Sequence, residues 1–326
     1  MQKANSSGDD GSNHDKCVDL VTVSYCDEIR MLQLQARSIR QHVDPDFVKN
    51  IYVISNDPYF FRFKILFYRH VIKEYGVMSA RVQLINGKKM LHSFRRRGGW
   101  VRQQILKVLA LKIIKSDHYL MLDTKNHFIR CYSDEAAFTP SGKMRIATYP
   151  LYTPFTQKFV RGCTLFGVQP TEADFTNAMP LSTPYLASKD LIGRMVKETE
   201  RLLKTDFESA FIGSGPFTEF YLYYAYILSQ RGLFDRWYSS ERNLNVTFWN
   251  PDVETTESFE SKMQKIDEPH ICSMGLHKRY LKSGSPEMLD AIANVWRKAD
   301  LVSTDEECNY FLTLPKKRNR LLDLIF

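Results

Sequence analysis

The chain has 326 residues, 44% of them hydrophobic and 25% charged. This is ordinary globular usage, and it excludes a wholly disordered, collagenous or coiled-coil protein. Lys and Arg number 45 against 37 Asp and Glu, a formal charge of +8. The surplus favours anionic partners such as phosphates, nucleotides, acidic glycans or nucleic acid.

The polar segment 1–16 lacks the apolar stretch of a secretory signal and reads as a disordered lead-in. Residues 18–25, VDLVTVSY, are apolar and β-branched, the pattern of a fully buried parallel strand. Ile29, Leu32, Ala36, Ile39 and Val43 then recur at helical spacing. NIYVISND (50–57) predicts a second buried strand, FRFKILFYRHVIKEYG an amphipathic helix stopped by Gly76, and ARVQLI a third strand. A helix is expected from about Trp100 to Ile114, followed by the short strand HYLMLD that ends in Asp123. This alternation predicts a parallel α/β sheet. Ser24, Asn56, Asp57 and Asp123 all fall at carboxyl ends of strands, where open α/β sheets bind ligands.

The second half reads differently. Residues 145–168 suggest two or three short strands, and 171–184 a polar, proline-containing loop. YLASKDLIGRMVKETERLLK reads as a strand end and a helix. TEFYLYYAYILSQRG reads as an aromatic helix with Gly232 as its C-cap, and a last helix is expected near 286–299. Six scattered cysteines show neither a CxxC pair nor zinc spacing, as in reduced, buried thiols of a cytoplasmic protein. No apolar window is long enough for a transmembrane span.

Four places carry candidate chemistry. Arg95, Arg96, Arg97 and Arg102 stand beside Gly98 and Gly99 at a helix start, with Gln103 on its first turn. Glycines admit close backbone approach and helix N-terminal amides attract anions, so the segment reads as a phosphate cradle or, on charge alone, as a solvated basic loop. Asp123 ends a buried strand, where a carboxylate needs a partner: a metal, a ribose, or only a turn amide. Glu219, after Thr218, stands on the first turn of the aromatic helix. It suits a general base, or merely a favourable helix start. His277, within Gly275–Arg279, suits a metal or phosphate contact or a structural role. The aromatics Phe220, Tyr221, Tyr223, Tyr224 and Tyr226 read as core first and sugar platform second.

Taken in order, VTVSYCDE, IYVISND, GGWVRQQILKVLALKII and YLMLDTKNHFIR resemble the GT-A-fold nucleotide-sugar glycosyltransferases. The chain resembles more closely an uncharacterised glycosyltransferase-like group of domain-of-unknown-function proteins linked to bacterial surface polysaccharides. That group carries G-W-x-x-Q-Q, L-D-[SA]-[DK], S/T-E-aromatic and V/L-H-[RK]-[RK] motifs. Their counterparts are Gly99–Gln104, Leu122–Lys125, Thr218–Phe220 and Leu276–Arg279, and the resemblance covers roughly residues 18–285. One departure stands out. GT-A enzymes usually carry D-x-D to hold a metal, whereas this chain reads Asp123-Thr124-Lys125. An ammonium cannot ligate metal, but it can neutralise a diphosphate.

The expectation is an α/β, GT-A-like (Rossmann-like) mixed sheet flanked by helices in a single domain. After the 1–16 tail, residues 17–130 would form the nucleotide-sugar half and 131–326 the acceptor half. The resemblance implies glycosyl transfer from a UDP- or GDP-sugar to a carbohydrate acceptor in glycan or polysaccharide synthesis. No cofactor is required, with Mn²⁺ or Mg²⁺ on Asp123 as the alternative. Arg102, Gln103 and Lys125 would contact the donor's diphosphate, with Arg95 and His277 also binding the donor; Ser24, Asn56 and Asp57 would line its base and ribose, Asp123 would hold a ribose or metal, and Glu219 would be the base. A catalytically silent nucleotide- or sugar-binding protein is the alternative. Nucleic-acid binding rests on charge alone and lacks a motif.

Overall fold

The computed structural model describes residues 16–92, 98–213, 217–250 and 255–313. Its strands are Val18–Ser24 (β1), Val48–Ser55 (β2), Val82–Asn86 (β3), His118–Asp123 (β4), Asn126–Phe128 (β5), Met144–Ala147 (β6), Tyr185–Ser188 (β7), Tyr238–Glu241 (β8), Asn245–Phe248 (β9) and Ser273–Leu276 (β10). Every residue of β1 is buried, as a central strand covered on both faces requires. β1 pairs parallel with β2 and with β4; β3 adds parallel to β2, and β7 closes the opposite edge antiparallel to β4. The order is β3–β2–β1–β4–β7, a mixed α/β sheet flanked by helices. The chain runs outward from β1 through β2 to β3, then returns to place β4 on the other side of β1. The carboxyl ends of β1 and β4 therefore flank the switch point where such sheets hold ligands.

One buried carboxylate anchors the start of β1. Asp19 accepts from the Lys115 and Ser116 amides at 2.6 and 3.0 Å, from Ser116 Oγ at 3.1 Å and from Asn50 Nδ2 at 2.9 Å. The helix Ile29–His42 has two buried faces. Leu32, Ala36 and Ile39 join the core around the main sheet, while Met31 and Leu34 join a second apolar cluster with Phe248, Met274, Tyr280 and Trp296. That cluster returns the C-terminal part of the chain to the first half. β5 pairs antiparallel with β10, and β10 pairs parallel with β9.

Three expectations about elements are corrected. Residues 145–168 hold one strand, β6, and then the helix Thr156–Leu165. The buried positions Phe159, Gly162 and Cys163 recur with helical period. Gly162 lets this helix lie close against Glu219–Ser229, since a Cβ on it would meet Ala225 Cβ at 3.1 Å. The segment after β2 is not a single α-helix. Phe60–Leu66 is α-helical, a π turn follows over Phe67–Val71, and 3-10 geometry begins at Ile72; Gly76, at φ 55° and ψ -127°, breaks it as expected, and a further 3-10 piece runs on to Arg81. Gly232 does not cap the aromatic helix, which ends at Gln230; at φ 69° it instead opens the short helix Leu233–Trp237. Within the expected loop 171–184, a capping box of Thr171 and Asp174 starts the short helix Glu172–Thr176. All six cysteines are free thiols. Among the described residues no helix is long and apolar enough to cross a membrane.

Candidate functional site

A cleft of about 560 Å³ opens at the carboxyl ends of β1, β2 and β4. The turn after β4 presents its central carboxylate. Asn126 Oδ1 accepts from the Asp123 amide at 2.8 Å, and Gln35 Nε2 donates to the Asp123 and Asn126 carbonyls at 2.6 and 3.1 Å. Gln35 is fully buried and held in turn by Thr22 Oγ1 at 2.9 Å. The Leu276 amide donates to the Lys125 carbonyl at 2.9 Å, which fixes β10 against the turn.

The helix Gly99–Leu109 supplies the cations. Asn56, at the end of β2, donates through Nδ2 to the Gly99 carbonyl at 2.8 Å and accepts from Arg102 Nε at 3.0 Å. It thereby sets both the helix start and the Arg102 guanidinium. Gln103 and Lys107, one turn apart, reach the same carboxylate. Gln103 Nε2 donates to Asp123 Oδ1 at 3.0 Å, and Lys107 Nζ pairs with Oδ1 at 2.6 Å. Lys125 Nζ pairs with Asp123 Oδ2. Lys107 also pairs with Glu219 Oε1 at 3.3 Å, so one buried ammonium bridges two carboxylates. Gln104 completes the link, its Oε1 accepting from the Glu219 amide at 3.3 Å.

These contacts set the ionisation of the site. Burial works against the charge on Asp123, but Lys107 and Lys125 outweigh it and hold the carboxyl far below its usual range. Burial dominates at Glu219, whose pKa stays raised despite Lys107. Lys107 loses from burial and gains more from its two carboxylates, so its ammonium is held above its ordinary value. Burial, followed by Lys125, Lys278 and Arg279, lowers His277 to about 4. His277 is therefore neutral near pH 7, and its Nδ1 accepts from the Arg279 amide at 3.3 Å as the cap of the helix Lys278–Ser283.

Of the residues expected at the site, Asn56, Asp57, Arg102, Gln103, Asp123, Lys125, Glu219 and His277 all line this one cleft. Asp57 is occupied locally, accepting from the Cys26 amide at 3.1 Å and the Tyr59 amide at 2.8 Å. It ties the ends of β1 and β2 together. Ser24 is not at the cleft. Side chains alternate along a strand, and Ser24 is buried while the next residue, Tyr25, faces the opening. Its carbonyl accepts from the Asn56 amide at 2.7 Å. Arg95, with Arg96 and Arg97, lies outside the described residues. The helix aromatics Tyr221, Tyr223, Tyr224 and Tyr226 are buried in the core, and only Phe220 reaches the cleft.

Several lining residues were not read from the sequence. Lys107 is the chief one; its signal was a lysine inside the apolar run ILKVLAL, where an unpaired charge would be costly. Trp100 and Trp249 flank the opening, about half exposed. Lys125 Nζ lies 4.7 Å from the Trp249 ring centre, and Lys158 Nζ lies 4.5 and 4.1 Å from those of Trp100 and Phe155. Glu28 accepts from Thr124 Oγ1 at 2.6 Å, and Lys278 donates to the Tyr25 hydroxyl at 2.7 Å.

Both oxygens of Asp123 face ammonium groups, and among the described residues no group of three or more His, Cys, Asp or Glu could hold a metal ion.

The cleft lies at the switch point of a mixed α/β sheet and is built on a lysine-bridged carboxylate pair. The chain belongs to DUF6492, a family of unknown function whose profile matches residues 18–277. No curated protein matches its sequence. Among solved structures it is similar to the galactosyltransferase LgtC, crystallised in complex with donor and acceptor sugar analogues. That likeness has 13% identity and a TM-score of 0.49 over 90% of this chain and 100% of that one. It is also similar to the apo form of the glycosyltransferase GlyE of Streptococcus pneumoniae TIGR4, with 13% identity and a TM-score of 0.42 over 93% of this chain and 66% of that one. Likeness at these levels assigns no reaction to this chain.

Proposed function

We propose that the cleft binds a nucleotide sugar and transfers its sugar to a carbohydrate hydroxyl, as a step in glycan or polysaccharide synthesis. The observation that carries the reading is Glu219: a buried carboxylate of raised pKa, in the same cleft as Arg102 and Lys125. A raised pKa brings a carboxylate closer to the range useful for general-base catalysis. The cations meet the other need of the reaction, a diphosphate leaving with added negative charge.

In an inverting transfer the acceptor oxygen attacks the anomeric carbon as the bond to the diphosphate breaks. The electron pair departs on the phosphate oxygen, and the acceptor proton passes to the Glu219 carboxylate. Arg102, oriented by Asn56, and Lys125 face the leaving diphosphate. Lys107 acts as a positioning residue, holding Glu219 and Asp123 in one arrangement. Asp123 spends its charge on the two lysines, and Trp249 beside Lys125 offers a flat face to a base or sugar. With lysines where a metal would stand, the transfer proceeds without one.

The same ion pairs favour one rival. Lys107 offsets the Glu219 carboxylate, which would suit a protein that binds the donor without turning it over. A thermal-shift series with UDP, GDP and their sugars tests the reading. A ligand at a hundred times its dissociation constant stabilises by about 2.7 kcal/mol. A clear rise with a nucleoside diphosphate, followed by its release from the matching nucleotide sugar, supports transfer. A rise without release supports the rival, and no rise with any donor removes both.

A further inference from the structure

The segment that follows β2 carries a surface the cleft does not use. From Pro58 to Lys73 the chain has four strong cations, Arg62, Lys64, Arg69 and Lys73, and no acidic residue. Phe63, Phe67 and Val71 face inward and join the main core. Phe61 and Tyr68 face outward, 71% and 54% exposed, with Tyr59 at 59% beside the helix start. Phe61, Ile65 and Tyr68 follow at i, i+4 and i+7, which places them along one helical stripe. Arg62, Lys64 and Arg69 each sit one residue from a member of that stripe, and Lys73 lies just beyond it.

Tyr68 meets the core residue Phe67 edge to face at 5.5 Å between ring centres, yet most of its surface and of Phe61's stays in solvent. Aromatic rings with an aliphatic residue between them enter the boundary between headgroups and acyl chains, and flanking cations are drawn to anionic lipid. Single-stranded nucleic acid also pairs with aromatics and cations. However, such binding runs the strand's backbone through a positively charged groove, and Phe61, Ile65 and Tyr68 do not line the cleft.

We infer that this face docks the protein onto an anionic lipid surface, with Phe61 and Tyr68 entering the interface and the exposed Lys64, Arg69 and Lys73 meeting the headgroups. The stripe begins beside Pro58, which lines the cleft, so docking brings the cleft rim to the headgroup layer. The inference stands on this surface alone and does not depend on the reaction proposed above.

Vesicle flotation of the full chain tests it, with phosphatidylcholine vesicles against vesicles enriched in phosphatidylglycerol. Two variants are compared with the wild type: Phe61→Ser with Tyr68→Ser, and Lys64→Glu with Lys73→Glu. These side chains are exposed, so the fold survives, and an unfolding curve verifies it. The wild type should float with the anionic vesicles only, and less at high salt. A basic residue near such a surface is worth about fivefold, so reversing two charges should weaken binding by at least about 25-fold. The aromatic variant should lose about tenfold or more. Three results would overturn the inference: no flotation on anionic vesicles, equal flotation on phosphatidylcholine, or unchanged binding in both variants. Retention on a single-stranded oligonucleotide that the same variants abolish, without vesicle binding, would overturn it in favour of nucleic acid.

Discussion

Replacing Lys107 by Met removes the group that bridges Asp123 and Glu219. The side chain is 4% exposed, with contacts of 2.6 Å to Asp123 and 3.3 Å to Glu219. Asp123 keeps Lys125 and Gln103, whereas Glu219 loses its ion-pair partner. The two contact distances put the carboxylate oxygens no more than about 6 Å apart, a repulsion of about 3 kcal/mol at an effective dielectric constant near 20. Breaking a buried ion pair from one side typically costs about 3–5 kcal/mol. The variant should therefore lose a stability of that order in urea unfolding, at neutral pH. The cost should shrink in acid. The folded-state pKa of Glu219 is raised, so its charge already weighs against folding as pH climbs above the usual carboxylate range. Without Lys107 the burden grows, and protonation relieves it. A double-mutant cycle isolates the pair. Glu219→Gln in the Lys107→Met background should recover part of the loss, with a coupling of about 1–3 kcal/mol. Additivity within about 0.5 kcal/mol, or a cost that persists unchanged into acid, would show that Lys107 does not hold Glu219.

Arg102→Ala should weaken UDP or GDP binding by one to two decades, as loss of a charge-assisted hydrogen bond of about 1.5–3 kcal/mol implies, and spare the free nucleoside. Equal losses in isothermal titration would take Arg102 off the phosphates. Because lysines surround Asp123, nucleoside diphosphate affinity should be unchanged by EDTA; binding lost in EDTA and restored by Mn²⁺ would refute that reading. Asp19→Ala would orphan the buried Ser116 amide, at about 1–3 kcal/mol, and remove the partner of the part-buried Lys115 amide, without altering ligand affinity. A loss below about 1 kcal/mol would show those amides find other partners.

Much of the framework was legible because its signals are local. β1, β2 and β4 are continuous apolar runs, and the polar residues that end them, Asn56, Asp57 and Asp123, meet at one cleft. The runs themselves predicted a parallel sheet; the mixed sheet, with β7 antiparallel at its edge, was expected from the resemblance. Ser24 was misplaced because a strand end fixes which residues are near the cleft, but not which face each one takes. The helix Thr156–Leu165 was misread as strand, though its buried positions recur with helical period. Lys107 was hidden for a different reason. Its partner Glu219 stands 112 residues away, and only the packing of two helices brings them together. Trp249 likewise reaches the cleft through the pairing of β9 with β10, which no local pattern announces.

The central claim, that Glu219 serves as the base in transfer from a nucleotide sugar, is tested most directly by nucleoside diphosphate release. Wild type and Glu219→Gln would be compared over a panel of UDP- and GDP-sugars, in EDTA, with donor binding measured on the same samples. The account predicts release from at least one donor by the wild type. In the variant it should fall by about 10²–10⁴-fold, the usual worth of a positioned base, while donor affinity holds. Undiminished release by a folded Glu219→Gln protein, or no release from any donor by the wild type, would contradict it.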